Sequence, residues 1–201
     1  MAPYPLGLRV RDRESAVTPF PPGPFDVIYA DPPWFYGQRA NTDRFRGGCR
    51  RHYDVMKDDE ILAMPVADIA ADNCALFLWA TCPNLPIAID VIKAWGFRYT
   101  TAAFIWWKMN PLKDTPFFGP GYYTASNGEL CLLGVKGKMK PEAHVSQVIQ
   151  NKRREHSRKP NEAHERIGLM YPQARRIELF AREQVENWTA WGNQVGEPPR
   201  A

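Results

Sequence analysis

Residues 25–34 read FDVIYADPPW. The first six are apolar apart from one acid and are flanked by prolines, which belong at strand ends rather than in strand interiors. A short buried strand would therefore stop at Asp31. Two consecutive prolines would stiffen the turn beyond it, because proline has no N–H, a fixed φ, and drives the preceding residue to extended geometry. Asp31 then offers a carboxylate. Pro32 and Pro33 offer a rigid row of carbonyls with no local partner, and Trp34 offers a flat apolar face.

Outward from this stretch, strand and helix patterns alternate. CALFLWAT (74–81) is a near-continuous apolar run, as in a strand buried on both faces. YTTAAFIWWK (99–108), ELCLLGVKG (129–137), RRIELFA (175–181) and NWTAWGN (187–193) also read as strands. KDDEILAMP (57–65) starts with acids and stops at Pro, which predicts a short helix. NLPIAIDVIKAWG (84–96) and NEAHERIGLMYP (161–172) have helical spacing and end at Gly or Pro. Residues 109–127 form a long loop rich in Pro, Gly and aromatics, and 138–159 is polar and basic. This order predicts an α/β fold, a three-layer sandwich around a mostly parallel sheet. The division expected is a Pro-rich arm (1–24), one domain (25–195) and a tail (196–201). Ligands bind such sheets at the carboxyl ends of strands, where Asp31, Thr81 and Lys108 fall.

Composition sets outer limits. With 201 residues, 44% hydrophobic and 24% charged, the chain can bury a core without disulfide or metal staples. The four cysteines form no CxxC pair, and Cys74 and Cys131 lie in apolar runs, so buried thiols are expected and no metal site. The N-terminus lacks the apolar core of a signal peptide, and no apolar run reaches membrane-spanning length. A soluble, cytoplasmic protein with no membrane partner is expected. His144, His156 and His164 show no ligand spacing and are expected at the surface.

A net charge of +4 permits a polyanion partner without requiring one. The charge is clustered. Arg39, Arg44, Arg46, Arg50 and Arg51 come after the Pro-Pro stretch, interleaved with Phe45, His52 and Tyr53. Lys152, Arg153, Arg154, Arg158 and Lys159 form a second group. Such clusters suit a phosphate backbone. The aromatic run FFGPGYY (117–123) reads as a lid, a stacking wall for bases, or a loop folded onto the core.

A carboxylate beside rigid carbonyls suits one kind of target. An exocyclic amine such as adenine N6 has two N–H donors and a lone pair delocalised into the ring. Two acceptors gripping those hydrogens draw the lone pair out and aim it at an electrophile, with no covalent intermediate. An aromatic face holds the base and favours a nearby sulfonium cation.

Asp31-Pro32-Pro33-Trp34 resembles the signature of the MT-A70 family of adenine-N6 methyltransferases. HYDVMKDDEI, LFLWAT, FIWWK, ELCLLGVKG, HSRKP, RRIELFAR and NWTAWGNQ come after it in the family's order, so the resemblance runs from Phe25 to Gln194. It implies a Rossmann-like methyltransferase sandwich with a permuted motif order, and S-adenosylmethionine as cofactor. By resemblance, Asp31 and the carbonyls of Pro32 and Pro33 hold the target amine, and Trp34 and Tyr53 line the base pocket. Lys108 and Asp31 lie beside both cofactor and target. Glu178, Arg182, Asn193 and Gln194 surround the cofactor. Arg46, Arg50, Arg51, Lys152, Arg153 and Arg154 are the expected nucleic-acid contacts. DNA is favoured as substrate over RNA, and the family allows a homodimer or pairing with a related subunit. Two rival readings are a catalytically silent nucleic-acid scaffold of the same fold and a methyltransferase of small molecules or proteins; the basic clusters disfavour the latter.

Overall fold

The structure is a computed structural model that describes residues 19–34, 56–119, 121, 123–153 and 158–195. Arg46, Arg50, Arg51, Tyr53 and Arg154 lie outside the described residues, as do most of the N-terminal arm and the tail from residue 196.

Seven strands form one sheet in the order β5-β3-β4-β2-β1-β6-β7. They are β1 (Phe25–Ala30), β2 (Ala70–Ala80), β3 (Arg98–Met109), β4 (Gly128–Lys136), β5 (Val148–Lys152), β6 (Arg176–Leu179) and β7 (Thr189–Trp191). Strand β1 is flanked in parallel by β2 and β6, and β3–β5 and β6–β7 are also parallel. Only β4 is antiparallel to its neighbours, β2 and β3. The mostly parallel α/β sheet is therefore as expected, with one reversal. Its cause is local: a parallel return to the sheet needs a crossover, usually helical. The described residues between β3 and β4 contain no helix, so the chain turns back beside β3.

The buried strands have two covered faces. Along β1, Ile28 and Ala30 point into one cluster and Val27 and Tyr29 into the other, and all four are at most 1% exposed. The first cluster lies under α1 (Asp58–Leu62) and α2 (Leu85–Ala94) and includes Leu76, Leu78, Ala88, Val91, Ile92 and Trp95. The second lies under α3 (Glu162–Met170) and joins Phe77, Trp79, Phe104 and Trp106 to Ala163 and Ile167. Buried indoles need a partner for their N–H. Trp95 donates to the Ile61 carbonyl (2.9 Å), and Trp79 donates to the Tyr29 hydroxyl (2.7 Å). Cys74 and Cys131 are buried and unbridged, as expected, and burial pushes the Cys74 thiol up to about 12.

Strand β5 falls within the polar, basic stretch 138–159, for which no strand is expected. It is an edge strand in which only Ile149 is buried, so its sequence carries no alternation to detect. No helix among the described residues is long and apolar enough to cross a membrane.

Helix α2 seats on the sheet at Gly134. A Cβ there would lie 2.9 Å from Ile92 Cγ2 and 3.1 Å from Phe97 Cβ. Neither neighbour can swing aside, because both are buried in the first cluster. Gly134→Ala is expected to destabilise the fold by about 1–3 kcal/mol, measured by urea denaturation. An unchanged midpoint would show that α2 is free to shift.

Candidate active site

Asp31 is the first residue beyond β1, the strand held in parallel on both sides. Its carboxylate therefore emerges at the inner part of the sheet's carboxyl edge. Lys159, just ahead of α3, reaches it with Nζ 2.8 Å from Oδ1 and 2.9 Å from Oδ2. The same ammonium is 3.1 Å from Glu129 Oε2. Glu129 Oε1 accepts a hydrogen bond from Lys108 at the end of β3. Asp31, Lys159, Glu129 and Lys108 thus form one chain of alternating charge that sums to zero. No member's side chain is more than 18% exposed.

The reversal of β4 makes this possible. Because β4 runs against its neighbours, its first residues, Gly128 and Glu129, lie at the same edge as the ends of β1, β2 and β3. The electrostatics follow from the packing. Burial alone would raise the Glu129 carboxyl, but Lys159 and then Lys108 outweigh it and hold the group below the usual carboxylate range. Burial would lower the Lys159 ammonium, yet Asp31 and then Glu129 hold it above the ordinary lysine value. Both ammoniums also face indoles: Lys159 Nζ is 5.6 Å from the Trp79 ring centroid and Lys108 Nζ is 5.1 Å from that of Trp106.

The proline carbonyls differ from expectation. Pro32 O accepts the Trp34 N–H at 2.9 Å, and Pro33 O accepts the Met56 N–H at 3.0 Å. Each has a backbone partner, which fixes its direction. A carbonyl oxygen has two lone pairs, so each retains capacity for a second donor. Trp34 does not offer the open face its sequence implied. It is 5% exposed, packs in the first cluster, and donates its indole N–H to the Trp79 carbonyl at 3.0 Å. In this position it ties the Asp-Pro-Pro turn to β2.

Beside Asp31 a cleft opens between β1, α3 and β6. Its walls include Asn161, His164, Glu178, Phe180 and Arg182, and Arg158 pairs with Glu183 at the same cleft. His164, expected at the surface, is instead a part-buried member of this wall. Its Nε2 is 2.8 Å from Glu178 Oε2, and its ring packs on Tyr29 (4.6 Å) and Trp188 (5.0 Å). Burial, and then Glu178, raises the Tyr29 phenol. So Asp31 and Lys108 are brought together through two residues that sequence reasoning did not place there, Glu129 and Lys159. Glu178 and Arg182 share the cleft with Asp31. Asn193 and Gln194 come directly after Gly192, where a Cβ would come within 2.3 Å of the Ala181 carbonyl, next to Arg182. Thr81 lies beyond β2, and its carbonyl accepts the Asn84 N–H at 2.9 Å as the chain turns toward α2. Lys152 and Arg153 stand at the end of β5, on the outer edge. Among the described residues, no three His, Cys, Asp or Glu side chains are grouped to hold a metal ion.

The sequence model of the MT-A70 family matches residues 25–194, which spans every described part of this site. The chain belongs to the MT-A70 family. It is an adenine-N6 methyltransferase, and its sheet is the Rossmann-like methyltransferase sandwich. Among curated relatives, the Type II methyltransferase M.MunI of Mycoplasma sp is 33% identical over 93% of this chain and 84% of its own length. The N(6)-adenosine-methyltransferase MT-A70-like protein of Arabidopsis thaliana is 31% identical over 86% of this chain. The catalytic subunit METTL3 of Homo sapiens is 30% identical over the same share. The chain spans 24% and 28% of those two longer proteins.

Removing one member of a buried charge network strands the others, at a cost of about 3–5 kcal/mol. Lys159→Met should destabilise this MT-A70 protein by that amount at pH 7. The depressed Glu129 pKa contributes stability that is present above its unfolded value and lost as pH falls through its folded value. Without Lys159 the Glu129 carboxyl takes up a proton more readily, so the cost should shrink at pH 4. Urea denaturation at the two pH values checks this, and an equal cost at both would contradict the network.

Proposed function

We propose that this MT-A70 enzyme transfers the methyl group of S-adenosylmethionine to N6 of an adenine in DNA, with Asp31 as the acceptor that grips the amine. The observation that carries this is Asp31 itself. Its carboxylate is fixed by Lys159 at the carboxyl end of β1, an inner strand, beside two backbone-fixed proline carbonyls.

The cleft beside Asp31 fits the cofactor's chemistry. It presents carboxylates (Asp31, Glu178) and cations (Lys159, Arg182) to a ligand with an ammonium, a carboxylate and a ribose diol. Glu178 is oriented by His164 through Oε2, which leaves Oε1 to face a diol. Phe180 is held in the cleft wall with φ of 61°, a conformation non-glycine residues rarely adopt. Arg182, with Asn193 and Gln194 next to it, would hold polar groups of the cofactor. When bound, S-adenosylmethionine supplies a methyl group on a positively charged sulfur.

The chain's own residues do the rest. Asp31 accepts one N6–H, and a proline carbonyl accepts the other with its remaining lone pair. Together they withdraw the nitrogen lone pair from the ring and direct it. Asp31 would take up the surplus N6 proton and pass it to solvent, as the cofactor gives up the methyl and keeps the S–C electron pair on its sulfur. Lys159 keeps the Asp31 carboxylate in place throughout. Trp34 positions the turn, and Lys108 holds Glu129 so that Lys159 has two partners. Tyr53 would add a wall to the base pocket. The adenine enters flipped from its stack or from a single strand, and Arg46, Arg50, Arg51, Lys152, Arg153 and Arg154 would meet the phosphates.

DNA is favoured over RNA by the likeness to M.MunI, a Type II methyltransferase that is 33% identical over 93% of this chain, against 31% over 86% for the Arabidopsis thaliana adenosine-methyltransferase-like protein. Incubation with labelled S-adenosylmethionine and separate pools of DNA and RNA, followed by nucleoside mass spectrometry, should place N6-methyl label in deoxyadenosine. Asp31→Asn, which preserves shape, should reduce that label about a thousand-fold while the circular dichroism stays native. Label in adenosine alone would move the substrate to RNA, and an active Asp31→Asn enzyme would remove Asp31 from the chemistry.

A further inference from the structure

We infer that the hairpin between β3 and β4 is a stacking platform that holds an unpaired nucleobase of the DNA next to the reacting adenine. This rests on the proposed function and extends it to a subsite on the outer edge of the sheet.

Phe118 and Tyr123 of the aromatic run 117–123 do not fold onto the core. Phe118 is 67% exposed, and Tyr123 and Leu112 are about 90% exposed. Single exposed apolar residues are ordinary. Here three stand on one short segment that is itself well built. The Asn110 N–H donates to the Thr115 carbonyl at 2.9 Å, and Gly119 and Ser126 exchange backbone hydrogen bonds of 2.8 and 3.2 Å. A Cβ on Gly119 would sit 2.7 Å from the Ser126 carbonyl oxygen, and one on Gly121 would sit 1.8 Å from that of Thr124. The turn is therefore shaped for glycine at 119 and 121, and Phe118 beside it stands out into solvent.

The root of the hairpin is in the active site. The Phe117 N–H donates to the carbonyl of Lys108 at 2.9 Å, and the Lys108 side chain ends the charge chain that begins at Asp31. The surroundings are cationic. The Arg153 guanidinium lies 4.3 Å from the Phe117 ring centroid, and the Arg153 N–H donates to the Met109 carbonyl at 3.0 Å. Lys113 and Lys152 add two charges, against one acid, Asp114, which pairs with Lys152 at 3.2 Å. A cleft of about 320 Å³ between the turn and β5 is lined by Met109, Asp114, Gln150, Asn151 and Lys152.

An aromatic face with a guanidinium over its neighbour, in a net positive setting, matches a base attached to a phosphate backbone better than an apolar peptide. Aromatic–base stacking is tolerant of sequence because every base has a π face. Flipping an adenine leaves its neighbours without a stacking partner, and a single strand offers the same unstacked base. Phe118 is placed to receive it.

The test uses the full chain and fluorescently labelled adenine-containing oligonucleotides, single-stranded and duplex. Phe118→Ala is expected to weaken single-strand binding about ten-fold and to raise KM for DNA more than it lowers kcat. Phe118→Trp should restore both. Because stacking releases no counterions, the slope of log affinity on log salt should be the same in Phe118→Ala as in wild type. Affinity for S-adenosylhomocysteine by calorimetry should be unaltered, which shows an intact fold. An active wild type with a Phe118→Ala variant that binds DNA equally well would overturn this inference alone. So would a wild-type dimer that Phe118→Ala converts to monomer without loss of DNA affinity, since the tip would then be an interface between copies. A folded wild type that binds S-adenosylhomocysteine but neither binds nor methylates DNA would remove the proposed function and this subsite with it.

Discussion

Four charges in a row hold the working end of this sheet together. Asp31, Lys159, Glu129 and Lys108 come from the end of β1, the approach to α3, the start of β4 and the end of β3. Each is nearly out of water, and an ion so placed is tolerable only when paired. The network therefore acts as a constraint on the fold. A small slip of any of the four segments would leave a buried charge unmatched. Well-packed apolar residues could hold the strands as firmly. What ions add is a carboxylate, Asp31, fixed in direction by the Lys159 ammonium, at the place where the proposed reacting amine would sit.

The rest of the architecture serves that placement. Parallel neighbours on both sides put the end of β1 inside the sheet's edge, and the reversed β4 brings Glu129 round to meet it. Trp34 and Trp79 tie the turn downward by consecutive hydrogen bonds, Trp34 to the Trp79 carbonyl and Trp79 to the Tyr29 hydroxyl. Tyr29 in turn packs against His164, which holds Glu178 in the neighbouring cleft. Asp31 and Glu178 are thus connected by a chain of aromatic contacts that crosses the sheet from Trp34 on one face to Trp79, Tyr29 and His164 on the other.

Much of this was legible in the sequence, for physical reasons that differ from residue to residue. The strand at 25–30 and its stop at Asp-Pro-Pro were readable because apolar runs and proline act locally. Helices α1, α2 and α3 were readable from spacing and stop signals. Strand β5 was not, since an edge strand with one buried residue, Ile149, leaves no pattern. The direction of β4 was hidden because a run of apolar residues looks the same either way. Lys159 read as one charge in a basic run, and it pairs with a residue 128 positions away; only the folded sheet brings them together. Glu129 carried a faint signal, a lone acid opening an apolar strand. His164 carried none, because a part-buried histidine on a polar helix resembles an exposed one. The proline carbonyls read as having no local partner; their backbone partners, Trp34 and Met56, follow from the turn's geometry and left no trace in the sequence.

The proposed methyl transfer turns on Asp31 gripping the amine while Lys159 grips Asp31. A crystal structure of the protein with a bisubstrate analogue, adenosine N6 tethered to the sulfur position of the cofactor, tests this most directly. The expected result is N6 within about 3.2 Å of an Asp31 oxygen and of a proline carbonyl, with the Lys159 contact intact. An N6 turned away from Asp31, or an Asp31 that leaves Lys159 to reach it, would contradict this mechanism.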